Sequence, residues 1–256
     1  MPATSLLVQA LPDIPLVQAG DDLVTFVLEA LARLDLSLQP NDVLVVSSKI
    51  VSKSENRFVD LRDIEPSPRA EELAAITRKD PRFVEVVLRE SQEVSRVAPN
   101  VLVVRHCLGF TSANAGIDQS NTGYTDSHMI LLLPQDPDAS ADYLAGELAA
   151  RTGVRPAVVI SDTHGRPFRM GNLNVAIGIS GLAPLIDQRG ETDLFGRTLQ
   201  ATITAFADQV TAAAGLVSGE TSEGQPVILI RGLVWPHQQN GTAQLLNRPP
   251  EQDLYR

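Results

Sequence analysis

Short apolar runs of strand length recur along this chain, and between them the apolar residues switch to a helical spacing, though not in a clean βαβ rhythm. Runs at 5–10, 42–47, 101–105, 129–133, 157–161 and 226–231 are rich in Val, Ile and Leu and read as strands. Helical periodicity covers 22–34, 69–77, 82–94 and 137–152. A further helix, expected to be the longest, spans 198–217, with Leu199, Ile203, Phe206, Val210, Ala213 and Val217 on one stripe. The strand at 157–161 is expected to end there, followed by a glycine-rich stretch through Gly181. The pattern predicts an α+β fold, mixed sheets with flanking helices. One domain is expected over 1–235, with room for two intertwined subdomains, followed by a poorly packed polar tail over 236–256.

Composition narrows the function. With 43% hydrophobic and 20% charged residues, the 256-residue chain suits a globular protein with a sizeable core. No apolar run is long enough to span a membrane, and the start lacks the layout of a secretory signal, so a cytoplasmic setting is expected. Cys107 is the sole cysteine, which excludes an intrachain disulfide and a cysteine-based zinc site. The formal net charge of -10 and the lack of a basic stripe argue against nucleic acid. An anionic substrate would need local positive charge. Only three lysines occur, and two of them, Lys49 and Lys53, lie four residues apart.

Four polar segments at the ends of strands carry the chemistry. After the strand at 42–47 comes SSKIVSK, where a spacing of four puts Lys49 and Lys53 on one side in helix or strand, with hydroxyls beside them suited to phosphate oxygens. The competing reading is an edge strand shielded by lysines. No P-loop is present. In NAGIDQSN, Gly116 permits a close backbone approach, and Asp118 could bind a hard divalent cation or merely shape an Asx-rich turn. In SDTHGRPFR, Asp162 and Thr163 could share a metal, while Arg166 and Arg169 could hold a carboxylate or phosphate. His164 is more in keeping with a hydrogen-bonded structural role than with catalysis. In SGETSEGQ, Glu220 could complete a metal site or remain a solvated loop acid. Asp193 is expected near a helix start, favouring its dipole.

Together these segments resemble the coenzyme F420-0:L-glutamate ligase family. The matching strings are SSKIVSK at 47–53, SPRA at 67–70, KDPRFVEVVLRES at 79–91, GFTSANAGIDQSN at 109–121, LLPQDPDASA at 132–141, ISDTHGRPFRMGNLNVAIGISGLAPL at 160–185 and RGETDLFGR at 189–197. The resemblance implies that family's α+β fold in a homodimer, and a GTP-driven amide ligation. The lactyl carboxylate of coenzyme F420-0 would be phosphorylated to an acyl phosphate, and the amine of L-glutamate would displace phosphate, with further γ-linked glutamates in some members. By the same resemblance Leu11, Pro12, Asp13, Ile14, Ser48, Lys49, Lys53, Asn121, Ser218, Gly219 and Thr221 would contact GTP. Asp118, Asp162, Thr163 and Glu220 would hold two Mg²⁺ or Mn²⁺ ions, with K⁺ a further candidate. Asp118, Asp162 and Lys53 would be the catalytic groups, and Gly165, Arg166 and Arg169 would meet substrate. His164 stands where the family usually has an aromatic residue. The competing functions are a nucleotide-dependent amide ligase acting on another carboxylate and a non-catalytic GTP-binding protein.

Overall fold

The computed structural model describes residues 5–124 and 126–253. In chain order its elements are β1 (Leu7–Ala10), α1 (Leu23–Arg33), β2 (Val43–Ser47), α2 (Ser48–Ser54), β3 (Phe58–Asp60), α3 (Pro68–Thr77), α4 (Pro81–Arg89), β4 (Ser91–Ala98), β5 (Val101–His106) and β6 (Thr111–Ala113). There follow β7 (Met129–Leu131), α5 (Pro137–Thr152), β8 (Ala157–Arg166), β9 (Arg169–Ser180), β10 (Leu185–Asp187), β11 (Ile203–Ala205), α6 (Phe206–Ser218) and β12 (Val227–Arg231). The arrangement is α+β.

A five-stranded sheet ordered β1-β12-β2-β8-β9 forms the centre, and within it only β2 and β8 run parallel. Period-two alternation sorts its side chains to two faces. Leu44, Val46, Val158 and Ile160 pack under α1, α2 and α5, whereas Val43, Val45, Ala157 and Val159 pack under α6. Both faces are covered, so these strands read as continuous apolar runs rather than alternating ones. A separate core joins α3 and α4 to the sheet β4-β5-β6 and the pair β3-β7.

Local signals account for most helix ends. Asp22 caps α1 by accepting from the amides of Val24 and Thr25. In α5, Asp136 caps, Pro137 fills the first turn, and Gly153 closes the far end in the left-handed region.

Four expectations are corrected. The helix expected over 82–94 stops at Arg89, and Ser91–Ala98 is instead β4, paired with β5. Val94 and Val97 reach the third core from a strand; their spacing of three reads as helical, and it fits a strand because the pairing with β5 shifts register between Val94 and Arg96. The helix expected over 198–217 begins only at Phe206; Ile203–Ala205 pairs with Leu185–Asp187, and Ile203 is 44% exposed. At 13 residues α6 is shorter than the 16-residue α5. Asp193 consequently lies far from the helix start and closes its own turn, accepting from the amides of Phe195 and Arg197. The glycine-rich stretch is a long hairpin, because β8 runs on to Arg166 and β9 returns from Arg169. Within the tail over 236–256 Ala243 is buried, and Asp138 accepts from its amide at 3.0 Å, but Leu245 is 58% exposed and the other described residues are exposed or half-buried. Residues 254–256 lie outside the described residues.

Candidate active site

The parallel pairing of β2 with β8 puts Ser47 opposite Ser161, so the end of β2 and the polar continuation of β8 past Ser161 lie side by side at the carboxyl end of the parallel pair. Such strand ends are where open sheets present ligand sites. The Ser48 hydroxyl donates to Asp162 Oδ1 at 2.8 Å, and His164 Nε2 lies 3.0 Å from Asp162 Oδ2. The His164 ring sits 4.8 Å from that of Phe110, which in turn stacks on His106 at 5.1 Å. Both oxygens of Asp162 therefore have fixed partners, and His164 takes an aromatic packing role while also bonding the carboxylate. Burial lowers the pKa of His106 to about 4, so this ring is a neutral packing element at physiological pH.

Ser48–Ser54 is the helix α2, which removes the edge-strand reading of its lysines. Ile50 and Val51 turn into the core, leaving Lys49 and Lys53 one helical turn apart on the side facing residues 118–121. Lys53 is 7% exposed, with Nζ donating to the Asn121 carbonyl at 2.7 Å, and burial, aided by the Lys49 charge, lowers its pKa.

The segment across from α2 has an unusual backbone. Asn114, Ala115 and Gly116 all adopt positive φ, at 53°, 55° and 65°. A Cβ on Gly116 would lie 2.7 Å from a methyl of Leu133 and 3.6 Å from Asp162 Oδ2, so glycine lets the chain pass close to that carboxylate. Asp118 then exchanges both backbone hydrogen bonds with Leu131 at 2.9 Å. Its Oδ2 is 2.6 Å from Lys49 Nζ, and its Oδ1 accepts from the Ser120 amide at 2.7 Å and hydroxyl at 2.8 Å. Burial pushes the Asp118 carboxyl upward, but the bonds from Lys49 and Ser120 outweigh it and hold the group below the usual carboxylate range.

The loop at 218–225 reaches the same place. Asn121 Nδ2 donates to the Thr221 carbonyl at 2.9 Å, and Thr163 Oγ1 lies 3.4 Å from Glu220 Oε1. Gly219, at φ 70°, leaves room for Glu223, whose carboxylate accepts from the Thr221 amide at 2.7 Å. The segment at 11–14 arrives by sheet topology, since β1 runs antiparallel to β12 and the Leu11 amide bonds the Val227 carbonyl at 2.9 Å. Leu11 is fully buried with its amide taken by Val227, and Ile14 packs against the same core, so of these residues Asp13, exposed at φ 55°, is the one open to a ligand.

Strand ends thus bring together the segments containing Asp118, Asp162, Thr163, Glu220 and the two lysines. A preformed metal cage is another matter. Among the described residues no three His, Cys, Asp or Glu side chains converge closely enough to hold a metal ion. Asp118 and Asp162 spend their oxygens on protein partners instead. The donor set, carboxylates and a hydroxyl, is still of the kind that hard divalent cations take, and the Lys49 ammonium already stands as a cation at Asp118.

Comparison with known proteins decides the family. A sequence profile described as F420-0:Gamma-glutamyl ligase matches residues 13–232. The chain is 45% identical over 243 residues to coenzyme F420:L-glutamate ligase of Methanothermobacter thermautotrophicus, covering 94% of this chain and 95% of that one. Proteins of the same name from Methanopyrus kandleri and Haloarcula marismortui are 42% and 41% identical, over 94% and 96% of this chain and 93% and 94% of theirs. The chain belongs to the F420-0:gamma-glutamyl ligase family.

In this family member Gly165, Arg166 and Arg169 do not join Asp162. Four residues of strand carry Arg166 about 13 Å beyond it, and the Arg166 guanidinium bonds the Met170 carbonyl at the hairpin tip. Sequence reasoning missed Phe110 and His106, which brace His164 across a long stretch of chain, a relation no local pattern encodes. It also missed Ser120, although an Asp followed two residues on by Ser is a readable Asx-turn signal.

Proposed function

We propose that this chain joins L-glutamate to the lactyl carboxylate of coenzyme F420-0, driven by GTP. The names of its relatives support the substrates, and the observation that carries the chemistry is the meeting of Lys49, Lys53, Asp118 and Asp162 at the carboxyl end of the β2–β8 pair. The lactyl carboxylate oxygen attacks the γ-phosphorus, the bond to GDP breaks, and an acyl phosphate results. The α-amine of glutamate then attacks the acyl carbon, phosphate leaves, and the amine loses a proton as the amide forms. Phosphoryl transfer asks a protein mainly for positioning and charge neutralisation, which fits a site with no nucleophile–base pair.

Lys53, anchored in a buried position, is suited to a phosphate oxygen, and the backbone of 218–221 lies within the same cluster. Asp118, Asp162, Thr163 and Glu220 would hold Mg²⁺ or Mn²⁺, which would neutralise phosphate charge when bound. Ser48 and His164 keep Asp162 oriented for that duty. The active form is a homodimer in this reading. Its support is the nearly full exposure of Phe168 and Met170 on one hairpin tip and Leu194 and Phe195 on another turn, apolar surface that a second copy would cover. No helix among the described residues is long and apolar enough to cross a membrane, in keeping with water-soluble substrates.

The test is mass spectrometry of coenzyme F420-0 incubated with the protein, GTP, Mn²⁺ and L-glutamate. A product heavier by one or more glutamate residues, together with GDP, is expected. No added glutamate under any nucleotide overturns the proposal.

A further inference from the structure

We infer that Lys49 is an internal stand-in for a divalent cation at Asp118, and that it couples metal binding to nucleotide binding. The inference rests on the proposed function for the identity of the metal and nucleotide. Its substance, that the two ligands bind only in concert, goes beyond that reading.

Three observations lead to it. First, Lys49 Nζ lies 2.6 Å from Asp118 Oδ2, with the two side chains only 25% and 32% exposed, where solvent screening is incomplete. Second, both carboxylate oxygens of Asp118 are engaged, Oδ1 accepting from Ser120 N and Oγ at 2.7 and 2.8 Å and Oδ2 facing Lys49, so a metal reaches Oδ2 by competing with the ammonium. Third, the same ammonium bonds the Ser120 carbonyl at 3.1 Å, while its helical neighbour Lys53 bonds the Asn121 carbonyl at 2.7 Å. The two lysines thus latch α2 to residues 118–121, and Asn121 passes the latch on to the carbonyl of Thr221.

Electrostatics then sets the order of events. A divalent cation arriving alone must displace Lys49 from Asp118 and leave an ammonium group unpaired beside a second one, Lys53, while bringing two further positive charges. That combination is repulsive in a partly buried site. A cation arriving with a polyphosphate meets no such cost, since phosphate oxygens receive the displaced Lys49 and the cation takes the vacated Asp118 oxygen. Lys49 therefore keeps Asp118 satisfied until both ligands are present. Glutamine at this position, one atom shorter, would keep a hydrogen-bond donor but present no charge to compete.

The experiment measures Mn²⁺ binding by electron paramagnetic resonance of the free ion, with and without a GTP analogue that cannot transfer its γ-phosphate, after subtracting the Mn²⁺ that the analogue binds in a protein-free titration. The unaltered protein should bind Mn²⁺ alone weakly, and about tenfold or more tightly with the analogue present. Lys49→Gln should bind Mn²⁺ alone about fivefold to tenfold more tightly than the unaltered protein, and gain little from the analogue. Adding Asp118→Asn to Lys49→Gln should abolish the gain, which locates it. A tighter affinity cannot arise from misfolding. If Lys49→Gln binds Mn²⁺ alone no better than the unaltered protein, or if the analogue leaves the unaltered protein's affinity unchanged, the inference falls. Coupled binding without any glutamate product would instead overturn the ligase reading and leave the coupling standing. Absence of Mn²⁺ binding under every condition would remove the metal from both.

Discussion

Asp162 is pinned at both oxygens, by Ser48 on one side and His164 on the other, which fixes its direction before any ligand arrives. In the proposed function Asp162→Ala removes a metal-holding carboxylate without opening a core, so the fold should survive while glutamate ligation falls by about a hundredfold or more. Activity near that of the unaltered protein, with unchanged circular dichroism, would take Asp162 out of the site. Lys53→Ala should raise the Michaelis constant for GTP by about tenfold through loss of one charge-assisted contact, read from initial rates. Asp22 is a different case, far from the chemistry. Its bonds from Thr25, then Arg151, lower its pKa from 3.8 to about 2. A depressed carboxylate stabilises the fold above its unfolded pKa and loses that contribution as pH falls through the folded one. Asn retains the cap but not the charge. Thermal melts of Asp22→Asn should therefore lie below those of the unaltered protein at neutral pH, with the gap closing between pH 4 and 2. A gap constant across that range would refute the charge argument.

At the scale of elements, the contact between α5 and β9 decides how closely the upper helix layer sits on the sheet. A Cβ at Gly178 on β9 would fall on the carbonyl of Pro137 in the first turn of α5. Gly178→Ala must push strand and helix apart, and chemical denaturation should report a loss of about 2–3 kcal/mol, with any loss below the error of the measurement counting against this packing. Asp138, one residue on, binds the amides of both Ile179 and Ala243, so the start of α5 also ties β9 to the C-terminal segment. That segment in turn supplies Gln244 and Asn247 to the Leu108 carbonyl, next to the turn that carries Phe110 against His164. The tail is thereby connected to the site through three short contacts.

For the whole molecule, an acidic chain of net charge -10 concentrates two of its three lysines at the carboxyl end of the β2–β8 pair, where an anionic substrate would need them. Nearly bare Phe168, Met170, Leu194 and Phe195 predict that the protein runs in multi-angle light scattering at about twice its 27.6 kDa mass, the dimer being the commonest closed assembly. Substituting Phe168 and Leu194 by Asp should shift it to the monomer. A monomeric mass for the unaltered protein would remove the dimer.

Much of this was legible from residues alone, and the boundary has a physical cause. Strand runs such as 42–47 and 157–161 and the helical spacing over 22–34 and 137–152 announce themselves because their determinants lie within a few residues. The four polar segments were recognisable for the same reason, each being the polar end of an apolar run. Where local period was ambiguous, as at Val94 or Ile203, pairing with a distant strand overrode it. No sequence pattern states that Ser48 meets Asp162, that Lys49 closes on Asp118, or that Phe110 backs His164. Those pairs are brought together only when the parallel register of β2 and β8 sets the end of one beside the continuation of the other, and long-range contacts of that kind belong to the folded chain rather than to any stretch of it.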